Sequence, residues 1–256
     1  MSFVFNEVSD LFGERKYISC DFCGNDNGSY HVIVKSSDYY SENDESCKLF
    51  ADSIWPGSLI MSEYLCNHPE TCDNKTILEL GAGTALPSLI ASKLCPKLIL
   101  TTDFPVPRII DNMRSLKELN RCNNLIVDSY AWGEDVQHLL QYLHETSPDS
   151  HDHPRYDLIL LSEVLWKDTY PLHEKLLISV VNCLNMKSGK VLLSFGHRPC
   201  EGHSPADDLH FLTLAQEKFQ LAHKLLDTTQ KYQDALDGQP MEVYLYVLYH
   251  KSSDSD

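Results

Sequence analysis

The sequence predicts an α/β fold, a mostly parallel sheet with helices on both faces. Two observations predict it. From Thr76 onward, short apolar runs alternate with stretches whose apolar residues recur at helical spacing, over about 170 residues and with short connections. Several runs, such as Leu158-Ile159-Leu160-Leu161, are nearly continuous, as strands covered on both faces require.

The elements follow in order. Tyr17-Ile18-Ser19-Cys20 and Tyr30 to Lys35 read as a β-hairpin around a turn-rich segment ending in Asn27-Gly28. Too few apolar residues lie there for a separate core, so residues 1–50 read as a β-rich extension. Trp55-Pro56-Gly57-Ser58 opens a short helix carrying Leu59, Ile60, Tyr64 and Leu65. Strands are expected at 76–80, 98–102, from 125, at 156–161, 191–195 and 242–249. Helices are expected around Leu86–Leu94, Ile109–Leu116, Leu172–Leu184 and Leu209–Phe219. Residues 51–250 form the main domain in this reading. The acidic segment from Glu145 to Pro154 is a loop, and 251–256 is a disordered tail.

Composition narrows the function classes. The 256 residues are 43% hydrophobic, enough for a substantial core. No apolar run approaches the roughly 20 residues of a membrane span. A net charge of −16 disfavours nucleic acid and anionic membranes and allows steering toward a basic protein. Nine cysteines without framework spacing suggest reduced thiols, hence cytoplasm or nucleus. Cys20-x-x-Cys23 with His31 offers too few ligands for a structural zinc site. His151 and His153 read as solvated loop residues, so no metal is expected.

The chemistry concentrates after the first parallel strand, in Glu79-Leu80-Gly81-Ala82-Gly83-Thr84. Ligands of open α/β sheets bind at the carboxyl ends of strands, and glycines there let the backbone turn sharply and approach a ligand. Leu86 stands where a dinucleotide site carries a third small residue, and Pro87 removes a donor from the helix start. A phosphate-free nucleoside such as S-adenosylmethionine needs neither feature, and Glu79 suits its ammonium or a bridging water. Asp103 ends the next strand, where a carboxylate accepts both ribose hydroxyls or caps the following helix. Trp132, after the third strand, reads either as an adenine contact or as core.

The ordered set Trp55-Pro56, Leu78 to Gly83, Asp103, Trp132-Gly133 and Leu161-Ser162-Glu163-Val164 resembles the seven-β-strand protein lysine methyltransferases of translation factors and chaperones. Asp10 to Glu14, Thr102-Asp103-Phe104-Pro105, Ser194 to Pro199 and Leu209 to Leu212 resemble its nicotinamide N-methyltransferase-like branch. That branch holds the elongation factor 1-alpha N-terminal and lysine methyltransferase. The resemblance implies a Rossmann-like class I methyltransferase with seven strands, the last antiparallel. It implies S-adenosyl-L-methionine as cofactor, lined by Trp55, Gly81, Ala82, Gly83, Asp103, Trp132 and Ser162. The role of Trp55 rests on the resemblance alone. The family's Asp after the fourth strand, with an aromatic three residues on, stands here as Glu163 and Trp166.

The expected activity is N-methylation of a lysine or N-terminal amine of a basic protein, elongation factor 1-alpha being the implied candidate. Glu163 would orient the amine, Trp166 would wall its cationic headgroup, and His197 would relay a proton. A small-molecule N-methyltransferase and a cofactor-binding protein without turnover are the alternatives.

Overall fold

The computed structural model describes residues 4–9, 16–24, 28–36, 50–146, 154–198, 201–233 and 238–251. Much of the acidic segment expected as a loop, with His151 and His153, and nearly all of the tail lie outside them.

Three strands open the chain: β1 (Val4–Ser9), β2 (Lys16–Cys23) and β3 (Ser29–Ser36) form an antiparallel sheet in that order. The expected hairpin is β2–β3, and β1 adds a strand that the apolar pattern does not signal. Cys20, Phe22, Val32 and Val34 share one face and are buried. They join a core cluster with Leu59 and Leu65 of α1 (Pro56–Asn67) and Leu86 and Leu89 of α2 (Leu86–Ala91). Strand side chains alternate between faces, so Cys23 points away from Cys20 and is exposed. His31 pairs instead with Asp21 at 2.8 Å.

The main sheet contains β4 (Thr76–Leu80), β5 (Leu98–Asp103), β6 (Leu125–Ser129), β7 (Leu158–Ser162), β8 (Lys190–Gly196), β9 (Leu221–Gln233) and β10 (Pro240–His250). Its strand order is β6-β5-β4-β7-β8-β10-β9. The first five pair in parallel, and β10 runs antiparallel to both β8 and β9. Every residue of β4, β5 and β7 is buried. Ile77, Ile99, Leu158 and Leu160 face the cluster shared with α1, α2 and the N-terminal sheet. Leu78, Leu100, Ile159 and Leu161 face a second cluster under α4 (Gln137–Thr146), α5 (His173–Cys183) and α6 (Pro205–Phe219). The remaining helix, α3 (Pro107–Leu119), is followed by Asn120, which exchanges two 2.7 Å hydrogen bonds with the Ile33 backbone and ties β3 to the main domain.

The chain adds β5 and β6 on one side of β4, then crosses to add β7 and β8 on the other. This reversal opens a crevice at the carboxyl ends of β4 and β7, where open α/β sheets bind ligands.

Candidate active site

A cavity of about 540 Å³ occupies that crevice. Trp55, Gly81, Ala82, Gly83, Asp103, Trp132, Ser162, Glu163 and Trp166, all expected at the site, line it.

The turn after β4 is built by left-handed backbone at Gly81 (φ 76°) and Gly83 (φ 54°). Its amides are already engaged. The N–H groups of Gly81 and Ala82 donate to the Thr102 carbonyl, each at 3.0 Å, and that of Gly83 donates to Asp103 Oδ2 at 2.8 Å. A phosphate-binding turn aims such donors at its ligand. This turn spends them on the end of β5, which suits a nucleoside without phosphate.

Asp103 lines the cavity and accepts the Phe104 N–H through Oδ1 at 2.7 Å. Burial pushes its carboxyl above the ordinary range, and the two backbone donors oppose that shift. Each carboxylate oxygen has two lone-pair sites, so acceptor capacity remains for vicinal hydroxyls.

Trp132 packs its ring beside the turn, and a Cβ on Gly81 would stand 2.9 Å from Trp132 Cζ2. The loop carrying it is fixed from α5: Ser179 Oγ accepts the Gly133 N–H at 2.8 Å and lies 2.9 Å from the Tyr130 hydroxyl. At the end of β7, the hydroxyls of Ser162 and Ser194 are 3.4 Å apart, and Ser194 donates to the Gly57 carbonyl at 2.8 Å. Thr169 holds Trp166 in place, accepting its N–H at 3.0 Å and donating to the Val164 carbonyl at 2.7 Å.

Two expected site residues are placed differently from the sequence reading, and a third is held by neighbours the sequence does not signal. Glu79 is fully buried and does not line the cavity, because β4 alternation turns it toward α2. There its Oε2 accepts the Ser88 N–H at 3.2 Å and the Ser88 hydroxyl. His197 also lies outside the lining, held by Asp208 at 2.8 Å and packed between Phe195 and Tyr244. Asp208 holds His203 with its other oxygen, also at 2.8 Å. Glu163 lines the cavity as expected, and each of its oxygens already holds one donor: Oε1 accepts the Gly57 N–H and Oε2 an Arg198 N–H, each at 2.6 Å. Its carboxylate therefore braces the wall, and each oxygen keeps a second lone-pair site for an acceptor amine.

Arg198 and Lys175 line the cavity without any role assigned from the sequence. Arg198 lies within the Gly196-His197-Arg198-Pro199 motif, where a basic side chain beside a histidine is the signal for it.

Burial pushes the Glu79 carboxyl up to about 8, while bonds from Ser88 and Thr101 favour its charged form. The folded chain keeps a proton there that the unfolded chain releases near 4.5. The stability this contributes is complete below that lower value and is lost as pH rises through about 8. Thermal melts from about pH 5 to about pH 9 should show this loss, amounting to a few kcal/mol, and Glu79→Gln should flatten it. Parallel pH profiles for the two proteins would refute the assignment.

Comparison with known proteins places the chain in a family. Residues 38–218 match the lysine methyltransferase family model. A "Protein N-terminal and lysine N-methyltransferase efm7" of Neurospora crassa is 33% identical over 191 residues, covering 70% of this chain and 64% of the relative. The chain thus spans less than two thirds of that protein's length. The Kluyveromyces lactis protein of the same name is 29% identical over 231 residues, covering 80% of each. Among solved structures, a Streptococcus mutans protein assigned as an S-adenosylmethionine-dependent methyltransferase superposes with a TM-score of 0.51 at 16% identity, over 90% of this chain and 55% of that one, and shows the shared fold. The chain belongs to the lysine methyltransferase family.

Proposed function

We propose that this chain transfers a methyl group from S-adenosyl-L-methionine to a lysine or N-terminal amine of a protein. The observation that carries the reading is the cavity itself. It combines a ribose-competent carboxylate (Asp103), an aromatic base contact (Trp132) and a glycine turn whose amides are unavailable to phosphate. Family membership and relatives named as protein N-terminal and lysine N-methyltransferases support the amine acceptor.

When bound, the cofactor supplies an electrophilic methyl on a sulfonium. Gly81, Ala82, Gly83, Asp103, Trp132, Trp55 and Ser162 hold and orient it; Trp166 walls the acceptor end and excludes water. The amine must be neutral to attack, and burial beside a positive charge favours loss of its proton. Glu79 and His197, which do not line the cavity, act on the frame of the site through Ser88 and Asp208 respectively.

The substrate is a basic protein, in keeping with the −16 net charge. Elongation factor 1-alpha is the candidate implied by the resemblance to the nicotinamide N-methyltransferase-like branch. The scattered spacing of the nine cysteines supports a cytoplasmic or nuclear setting. Among the described residues, no helix is long and apolar enough to cross a membrane.

Methyl-labelled cofactor, added with the protein to lysate from cells lacking it, should label a basic protein band, identified by mass spectrometry. Label appearing only on added small amines such as nicotinamide would favour the small-molecule alternative and overturn the protein-substrate reading.

A further inference from the structure

We propose that Glu163 and Arg198 form a charge-matched pair that sets how the cavity discriminates the cationic methyl donor from its neutral product. This rests on the reading of the cavity as the S-adenosylmethionine site.

The pair is a built feature. Glu163 follows β7 and Arg198 follows β8, so two loops at the carboxyl edge of the sheet meet through their side chains. Both line the cavity, with side chains only 5% and 16% exposed. The Arg198 guanidinium lies 4.7 Å over the Trp55 ring, so the cation is stacked on the wall as well as ion-paired.

The backbone is adapted to this contact. Glu163 has a left-handed φ of 54°, which a residue with a side chain adopts only at some cost. A Cβ at Gly57 would stand 2.7 Å from Glu163 Oε1, so the glycine makes room for the carboxylate at the start of α1.

The consequence is electrostatic. Between donor and product the bound molecule loses one positive charge, as a sulfonium becomes a thioether. A largely buried guanidinium without its carboxylate would repel the donor and leave the product untouched, because burial limits screening by solvent. With Glu163 in place the charges balance, and Arg198 can cover Trp55 without penalising the donor. The other charged lining groups, Asp103, Glu134 and Lys175, contribute equally to the donor-to-product ratio of every variant and cancel when the ratios are compared between variants. Glu163 and Arg198 are in this sense positioning residues with an electrostatic signature that a purely structural brace lacks.

The test is calorimetric titration of S-adenosylmethionine and of S-adenosylhomocysteine into the wild type, Glu163→Gln, Arg198→Gln and the double variant. The donor-to-product affinity ratio should fall about tenfold in Glu163→Gln, rise in Arg198→Gln, and return toward wild type in the double variant. An unchanged ratio in all four proteins overturns the proposal, even if both affinities fall together. Should Glu163→Gln fail to fold, Arg198→Gln decides alone, because its shift has the opposite sign and an unchanged ratio there sinks the idea. A wild type that binds neither ligand would instead refute the cofactor reading, and this inference with it.

Discussion

Replacing Asp103 by alanine is expected to weaken S-adenosylmethionine binding about a hundredfold, close to 3 kcal/mol. The carboxylate stands at the end of β5 on the cavity wall. Two hydrogen bonds from ribose hydroxyls to a charged, desolvated acceptor account for a loss of that size. The same change frees the N–H groups of Gly83 and Phe104, so the turn loosens as well. Asp103→Asn separates the contributions. Its amide oxygen can keep one backbone donor, and the variant should fall between wild type and alanine in affinity while losing less in thermal stability. Calorimetry on Asp103→Ala showing wild-type affinity would remove the ribose assignment.

The second large effect is expected at Gly81. Its φ of 76° costs an alanine about 1–2 kcal/mol before any contact is made. The new Cβ would then meet Trp132 Cζ2 at 2.9 Å and Val164 Cγ1 at 3.0 Å, so the indole must move. Gly81→Ala should lower stability by about 2 kcal/mol and cofactor affinity at least about tenfold. Gly202 provides the control: its φ is 75°, and an added Cβ meets nothing within 4 Å. Gly202→Ala carries the same backbone cost, so it should lose stability and keep cofactor affinity. Equal affinity losses in the two variants would show that strain alone, rather than displacement of Trp132, governs the site.

Much of the fold was legible because a parallel sheet covered on both faces must be written in continuous apolar runs, as β4, β5 and β7 are. The elements that escaped include two whose apolar pattern is weak or short. β9 lies at the sheet edge, where Lys224, Asp227, Thr228 and Lys231 leave no apolar period, and such polarity protects an edge from unwanted pairing. α4 has its buried stripe of Leu139, Leu140 and Leu143 within a short, otherwise polar stretch.

The sequence by itself determined the alternation of strands and helices, the glycine turn after β4 and the acid at the end of β5. Each of these is a local requirement of backbone geometry or burial, and local requirements leave local patterns. Tertiary structure alone decided which way the polar groups point. It turned Glu79 into the interior beside Ser88 and tied His197 to Asp208. It also joined Glu163 to Arg198 and Gly57, partners 35 and 106 residues away. A carboxylate takes the donor that the packed chain brings within reach, and distance along the sequence carries no record of that choice.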